Sequence, residues 1–198
     1  MNLPNKLTIF RIILVILMLI VTLINPSGSF WGVEITFWIL EIIFIIASIT
    51  DKLDGYIARS KDQVTTFGKF LDPIADKILV LTAMILLVEF DKLSAWIPII
   101  VMFREFIVSG FRLLASQKGG KVIAASVWGK LKTVTQMIAI ILMFVDRYSY
   151  GYFINNPIEN VGLKVLNIAT FIMMTISVIA TIFSGWDYIK SGKDLFKD

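Results

Sequence analysis

The sequence contains no cysteine and no histidine, and charged residues make up only 17% of its 198 positions. Without cysteine the chain can form neither a disulfide framework nor a thiol redox centre. Without cysteine and histidine it also lacks the sulfur and imidazole ligands that zinc sites use. The carboxylates of this chain therefore suit a hard cation better than zinc.

Apolar residues, by contrast, are abundant: they make up 57% of the sequence and give a mean hydropathy of +0.82. This composition is too apolar for an ordinary soluble domain of this length. Six stretches are apolar and long enough for the roughly 20 residues that a membrane-spanning helix needs. They are 8–25, 35–59, 68–90, 94–116, 126–147 and 161–188. The sequence predicts an all-α integral membrane protein with these six transmembrane helices in a single domain, residues 1–198.

The first ten residues form a mixed polar and apolar segment in which Pro4 and Asn5 favour a helix start. We expect a short N-terminal interfacial helix there, leading into the first span. Lysine and arginine are concentrated at both ends of the chain and in the second-to-third and fourth-to-fifth connections. By the positive-inside rule, this distribution predicts a multi-pass cell-membrane protein with both termini in the cytoplasm.

Four aspartates lie between the second and third predicted spans: Asp51, Asp54, Asp72 and Asp76. Their i, i+3 and i, i+4 spacing would put each pair on one face of a helix. Four carboxylates at membrane depth repel one another and are costly to desolvate, and a divalent cation would remove both problems. Oxygen-only ligation suits Mg²⁺, Mn²⁺ or Ca²⁺, and two ions could be held. The simpler alternative is a set of surface carboxylates in an ordinary loop.

The residues between these aspartates suit a phosphate ligand. Gly55 and Gly68 remove side chains where a ligand or a neighbouring helix must come close, and Ala58 is small enough to serve the same purpose. Arg59 supplies a permanent cation that can pair with an aspartate or a phosphate oxygen. A proline deep in a helix costs about 3 kcal/mol but is tolerated in the first turn. Pro73 therefore predicts that the second of the two helices begins only shortly before the third aspartate.

These residues together carry a resemblance to a known family. The pattern Asp51-x2-Asp54-Gly55-x2-Ala58-Arg59-x8-Gly68-x3-Asp72-x3-Asp76 matches the signature of the CDP-alcohol phosphatidyltransferases at every fixed position. The resemblance implies a homodimer of six-helix bundles that uses Mg²⁺ or Mn²⁺, with the four aspartates as metal ligands. It also implies that Gly55, Ala58, Arg59 and Gly68 lie at the nucleotide and diphosphate, and that Asp76 accepts the proton in catalysis.

The N-terminus resembles the glycerophosphate branch of the same family in its Pro4-Asn5 pair, Thr8 and Arg11. This likeness implies that Asn5 and Thr8 lie near the nucleotide. The alternative is that Asn5 simply caps a helix, while Lys6 and Arg11 anchor the chain at the membrane surface.

Basic residues in the fourth and fifth spans form two further blocks that resemble this branch. Arg104, Arg112, Lys130 and Lys132 are candidates for a cationic pocket that binds the phosphate of an acceptor. The alternative is that the lysines only mark the cytoplasmic interface. Arg104 is followed directly by Glu105. Because neighbours in sequence do not face each other on a helix, we do not expect these two side chains to pair.

The resemblance implies a reaction. CDP-diacylglycerol in the membrane lipid would donate its phosphatidyl group to sn-glycerol 3-phosphate by direct displacement, releasing CMP. The acceptor could instead be inositol phosphate or phosphatidylglycerol, and no nucleic-acid partner is expected. A divalent-cation transporter is the alternative from a different class. Such a transporter would often show an internal repeat with a shared ion site, whereas this sequence has a single aspartate cluster.

Overall fold

The protein is mostly helical in the computed structural model. The structure describes residues 2–60, 65–117 and 127–191. Within those ranges the side chains of ten residues lie outside the description: Lys52, Asp54, Ala58, Arg59, Thr66, Phe67, Lys69, Ser116, Gln117 and Ser191.

A long helix lies at each of the six predicted positions in the described part of the chain. These helices are α1 (Leu3–Ile24), α2 (Ile35–Ser60), α3 (Thr66–Glu89), α4 (Trp96–Gln117), α5 (Val127–Val145) and α7 (Val161–Ser191). Within the described residues, three short elements complete the order: strands β1 (Ser29–Phe30) and β2 (Val33–Glu34), which pair antiparallel, and helix α6 (Tyr152–Asn155).

Three of the described helices are long and apolar enough to cross a membrane, namely Leu3–Ile24, Val127–Val145 and Val161–Lys190. The structure therefore supports a membrane protein. The motif aspartates lie on α2 and α3, and α4 carries Arg104, Glu105 and Arg112. Such ionisable residues lower the hydropathy of a helix, so spanning by these three helices stays a prediction.

The separate N-terminal interfacial helix is not confirmed. Helix α1 runs without a break from Leu3 to Ile24, and Pro4 lies in its first turn. A proline there costs little, because the N–H that it lacks would have no partner within the helix. Residues 3–10 are therefore the first turns of α1.

The chain divides into two compact units. The first, unit 1, comprises Met1–Lys92 and Met143–Arg147, and the second, unit 2, comprises Leu93–Leu142 and Tyr148–Asp198. In unit 1, α1 packs against both α2 and α3. Its apolar core includes the fully buried side chains of Met18, Leu40, Phe44 and Leu87. The end of α5 joins this core, since Phe144 contacts Phe44 with ring centroids 6.1 Å apart.

Lys92 fixes the last turn of α5 within unit 1. Its Nζ donates to the main-chain oxygens of Met143 at 3.2 Å, Phe144 at 3.4 Å and Asp146 at 2.5 Å. It also lies 3.7 Å from the centre of the Phe37 ring. A cation at this position satisfies carbonyls that a helix C-terminus leaves without partners.

In unit 2, α4 packs against α7. The buried apolar side chains of α4 include Ile97, Val101, Val108, Phe111 and Ala115, which recur at the spacing of one helix face. The buried residues of α7 include the small or polar Ser177, Ala180, Thr181 and Ser184, and also Tyr188. Ser184 contacts Arg104 and Tyr188 contacts Arg112. This arrangement brings the polar face of α7 to the basic residues of α4.

Candidate active site

The buried face of α1 changes character along its length. Leu14, Val15 and Met18 are apolar and buried toward its C-terminal half. One and two turns earlier, Thr8 and Arg11 lie on the buried face and are fully buried, although both are polar. Buried polar groups of this kind require partners, and the partners in this unit are two of the motif aspartates.

Arg11 pairs with Asp51 of α2. The distance from Arg11 Nη1 to Asp51 Oδ1 is 2.8 Å, and the side chain of Asp51 remains 40% exposed. The alternative in which Arg11 anchors the chain at the membrane surface does not match this buried side chain. A guanidinium inside the unit instead fixes one oxygen of a motif carboxylate.

Thr8 pairs with Asp72 of α3. Its hydroxyl lies 2.6 Å from Asp72 Oδ1 and 3.2 Å from the main-chain oxygen of Pro4, one turn back on α1. Hydrogen bonds to a carboxylate are short and stronger than those between neutral groups. Helix α1 thus holds one aspartate from each of the two motif helices.

Asn5 belongs to the same arrangement, through the start of α3. Thr65 is the N-cap residue of α3 and accepts from the main-chain N–H of Gly68 at 3.0 Å. Its hydroxyl donates to Asn5 Oδ1 at 2.9 Å. Asn5 does not cap α1, whose N-cap residue is Asn2. It braces the N-terminus of the helix that carries Asp72.

Gly68 lies where α1 comes close to the first turn of α3. A Cβ added at Gly68 would lie 3.0 Å from Asn5 Oδ1, 3.2 Å from Thr65 Oγ1 and 3.7 Å from Asp72 Oδ2. The first two distances are tighter than ordinary contacts between side chains. The expectation that Gly68 allows a close approach is supported, and the neighbour that comes close is α1.

The start predicted for α3 is wrong. The helix begins at Thr66, so that Pro73 lies inside it. An internal proline lacks the N–H of one helical hydrogen bond. The capping by Thr65 and the packing of α1 against α3 offset this cost. Tertiary contacts here override a local preference.

The remaining signature residues lie on the same two helices. Asp76 is exposed and Gly55 is half-buried. The side chains of Asp54, Ala58 and Arg59 lie outside the described side chains. Among those that are described, no three acidic side chains form a group able to hold a metal ion.

The donor chemistry of the site nevertheless fits a hard divalent ion. The described candidate ligands are carboxylates, and Arg11 and Thr8 each contact an Oδ1 atom, of Asp51 and Asp72 respectively. The exposed part of Asp51 and the exposed Asp76 are accessible to a cation. Oxygen donors of this kind suit Mg²⁺ or Mn²⁺.

Two of the basic candidates of unit 2, Arg104 and Lys132, share one carboxylate. Glu105 Oε1 accepts from Arg104 Nη1 at 2.9 Å and from Lys132 Nζ at 2.5 Å. The expectation that Arg104 and Glu105 do not pair is therefore wrong: Glu105 pairs with Arg104 of its own helix and with Lys132 of α5. Arg104 Nη2 also donates to Ser184 Oγ of α7 at 2.5 Å.

The other two candidates are more accessible. Arg112 is exposed, and its Nη2 donates to the hydroxyl of Tyr188 at 2.8 Å. Lys130 is exposed, whereas Lys132 is only 6% exposed. Arg104 and Arg112 of α4 thus contact α7, while Lys132 of α5 contacts α4 through Glu105.

Sequence reasoning missed the residues that hold these candidates in place. Thr65, Glu105, Ser184 and Tyr188 all contact a predicted site residue. They lie outside the eight-residue signature, and all four contact a site residue across more than 20 positions of the chain. The one available signal was the run of small and polar residues in the last span, which includes Ser184.

Residues 1–184 match the family model described as CDP-alcohol phosphatidyltransferase. The chain belongs to this family. The match covers the whole of unit 1, with its aspartate helices, and extends to Ser184 of α7. Members of the CDP-alcohol phosphatidyltransferase family generally depend on a divalent metal, in agreement with the oxygen donors described above.

Individual relatives cover nearly the full chain. A Bacillus subtilis protein named CDP-diacylglycerol–glycerol-3-phosphate 3-phosphatidyltransferase is 39% identical over 204 residues, which cover 99% of this chain and 97% of the relative. A Haemophilus influenzae protein of the same name is 39% identical over 201 residues, covering 100% and 96%. A Mycobacterium tuberculosis protein named as a probable phosphatidylglycerophosphate synthase is 34% identical over 188 residues, covering 95% and 80%.

Proposed function

We propose that this protein transfers the phosphatidyl group of CDP-diacylglycerol to sn-glycerol 3-phosphate, giving phosphatidylglycerophosphate and CMP. The full-length similarity to relatives named for this activity carries the proposal. The structure supports it, because Arg11 and Thr8 hold two aspartates of the family signature on adjacent helices.

The reaction is a direct displacement at phosphorus. A hydroxyl oxygen of glycerol 3-phosphate forms a bond to the phosphorus that carries diacylglycerol, and the bond from that phosphorus to the bridging oxygen of CMP breaks. The hydroxyl proton passes to a base, and CMP leaves with the electron pair of the broken bond. We assign the base role to Asp76, whose exposed carboxylate can reach a substrate.

Asp51, Asp54, Asp72 and Asp76 are the residues that would hold the divalent ions. When bound, Mg²⁺ or Mn²⁺ neutralises negative charge on the diphosphate oxygens and on the departing CMP. Arg11 and Thr8 orient the carboxylates of Asp51 and Asp72 before substrate arrives.

The remaining roles rest on the family signature and on charge. Gly55, Ala58, Arg59 and Gly68 line the nucleotide and diphosphate site, with Asn5 and Thr8 close to it. A second set of residues binds the phosphate of the acceptor: Arg104, Arg112, Lys130 and Lys132. A phosphate monoester carries roughly −1.5 to −2 charges near neutral pH, so a site with an excess of cations suits it.

The finer features of the membrane arrangement belong to the same proposal. The chain crosses the cell membrane six times, with both termini and the aspartates on the cytoplasmic side, and works as a homodimer. Three helices of sufficient length and apolarity support the membrane location. The distribution of lysine and arginine supports the orientation.

The decisive experiment is CMP release by the purified protein in detergent with CDP-diacylglycerol and Mg²⁺. We expect release that requires glycerol 3-phosphate, stops on addition of EDTA and resumes with excess Mg²⁺ or Mn²⁺. Release that requires inositol phosphate or phosphatidylglycerol instead would support phosphatidyl transfer but show that the acceptor is not glycerol 3-phosphate. Divalent-ion flux in proteoliposomes, with no release by folded protein under any condition, would favour a transporter.

A further inference from the structure

Tyr188 of α7 is a buried residue that contacts two of the basic candidates of α4. Its relative exposure is 1%. The guanidinium carbons of Arg104 and Arg112 lie 5.8 Å and 5.5 Å from the centre of its ring. Its hydroxyl accepts from Arg112 Nη2 at 2.8 Å. One aromatic side chain thus contacts two arginines that lie two turns apart on α4.

The turn of α7 before Tyr188 also contacts Arg104. Ser184, four residues earlier and so on the same helix face, accepts from Arg104 Nη2 at 2.5 Å. A Cβ added at Gly185 would lie 3.4 Å from Arg104 Cγ, so the backbone of α7 lies close to the stem of this arginine. Residues 184–188 of α7 therefore fix the positions of both guanidinium groups.

The chemistry of these contacts preserves positive charge. A serine hydroxyl, a tyrosine hydroxyl and an aromatic ring face all attract a guanidinium without neutralising it. Glu105 pairs with both Arg104 and Lys132. Counted over Arg104, Arg112, Lys132 and Glu105, the positive charges exceed the negative ones by two, which matches a phosphate monoester dianion.

We propose that Tyr188 is a positioning residue that orients Arg104 and Arg112 for the phosphate group of the acceptor. This inference rests on the proposed function and goes beyond it, because Tyr188 acts through the arginines. The bond to the hydroxyl fixes Arg112, while the ring contacts both arginines. Removing the hydroxyl alone should therefore weaken acceptor binding less than removing the ring.

The test compares Tyr188→Phe with Tyr188→Leu. We expect Tyr188→Phe to raise the KM for glycerol 3-phosphate roughly 3- to 10-fold, the range that one lost hydrogen bond gives. Tyr188→Leu should raise it further, and the KM for CDP-diacylglycerol should stay unchanged in both variants. Tyr150→Phe is the matched control, because the Tyr150 hydroxyl bonds Thr175 of α7 at 2.8 Å and should leave both KM values as they are.

A double-mutant cycle separates positioning from a general loss of packing. In an Arg112→Ala background, Tyr188→Phe should have little further effect on the KM for glycerol 3-phosphate. A full effect in that background, or equal effects on the two substrates, would overturn the proposal.

A binding measurement keeps this test separate from the proposed function. Glycerol 3-phosphate should raise the Tm of the wild-type protein in detergent, and the rise should be at least halved in Tyr188→Phe. If the wild type binds the phosphate but releases no CMP, the proposed reaction fails while Tyr188 is still tested by the Tm shift. An equal shift in wild type and Tyr188→Phe, or no shift with glycerol 3-phosphate or inorganic phosphate, contradicts the role of Tyr188.

Discussion

Arg11 has a fully buried side chain, whereas Asp51, its partner at 2.8 Å, keeps 40% of its side chain exposed. The buried cation therefore depends on this carboxylate more than the carboxylate depends on the cation. Loss of one partner of a buried pair is destabilising by about 3–5 kcal/mol. The partial exposure of Asp51 reduces the effect expected here.

We predict that Asp51→Asn and Asp76→Asn differ in stability although both lose turnover. Asp51→Asn removes the negative charge beside the buried guanidinium and should lower the Tm by several degrees, equivalent to about 1–3 kcal/mol. Asp76→Asn changes an exposed carboxylate and leaves the Arg11–Asp51 pair in place, so it should lower the Tm by less than Asp51→Asn does. Thermal melts in detergent and CMP release measure the two effects, and equal Tm values would refute the distinction.

The hydroxyl of Thr8 should matter through Asp72. Thr8→Val keeps the shape of the side chain but removes the donor that lies 2.6 Å from Asp72 Oδ1. A hydrogen bond to a charged group contributes about 1.5–3 kcal/mol, so we expect kcat/KM to fall roughly 10- to 100-fold. The Mg²⁺ concentration for half-maximal activity should rise. Thr8→Ser retains the hydroxyl and should stay within about threefold of wild type, and similar losses in both variants would assign the effect to packing.

Two helical glycines provide a matched pair of substitutions. A methyl group at Gly68 would lie 3.0 Å from Asn5 Oδ1, whereas one at Gly110 would meet no atom within 4 Å. Gly68→Ala should therefore displace Asn5 and lower both Tm and activity, by about 1–2 kcal/mol in stability. Gly110→Ala should be neutral or stabilising by up to about 1 kcal/mol, since alanine favours helix. Thermal melts of the two variants test this prediction. Equal changes in Tm for Gly68→Ala and Gly110→Ala would contradict it.

Lys92 predicts a pH dependence of stability. Burial lowers the pKa of Lys92 from 10.5 to about 8, with Asp146 and Glu34 opposing the shift. Between these two values the unfolded chain holds the proton while the folded protein has released it. Stability should therefore rise with pH between about 8 and 10.5 and lack this gain below pH 8. The total is a few kcal/mol at most, because one pKa unit corresponds to about 1.4 kcal/mol.

The measurement for Lys92 is Tm in detergent from pH 7 to pH 10.5. Lys92→Met should lose the rise that the wild type shows, although it should be less stable at every pH because the carbonyls of Met143, Phe144 and Asp146 lose a donor. Lys164→Met, at an exposed lysine, is the control and should keep the wild-type profile. If the Tm of the wild type and the Tm of Lys92→Met changed in parallel from pH 7 to pH 10.5, this result would contradict the lowered pKa of Lys92.

Hydropathy and spacing predicted much of this molecule because they report local properties. The six long helices lie where apolar stretches predicted them, and the aspartate pairs lie on α2 and α3 with helical spacing. The start of α3 was missed, since the helix around Pro73 depends on a cap from Thr65 and on packing against α1. Local preference alone carries no information on such support.

The partners of the charged residues were harder to predict than the charges themselves. In sequence, Arg11 resembles a membrane-surface anchor, yet its side chain is buried in unit 1. Its partner Asp51 lies 2.8 Å away in space but 40 positions away in the chain. Arg104 and Glu105 pair because Lys132 and Ser184 draw both side chains together from other helices. The contacts of Arg11 with Asp51, of Glu105 with Lys132 and of Arg104 with Ser184 join distant segments. The periodicity of a sequence cannot relate such segments.

Unit 1 is formed by two separate segments of the chain, which are therefore synthesised at different times. Its aspartate helices are complete when Lys92 has been made, but the segment Met143–Arg147, which supplies the carbonyls bound by Lys92, follows about 50 residues later. At about 5–20 residues per second, the ribosome needs roughly 3–10 s to deliver it. During that interval the nascent chain carries its motif aspartates while Lys92 still lacks these partners. A chain truncated after Lys92 would remain in that unfinished state.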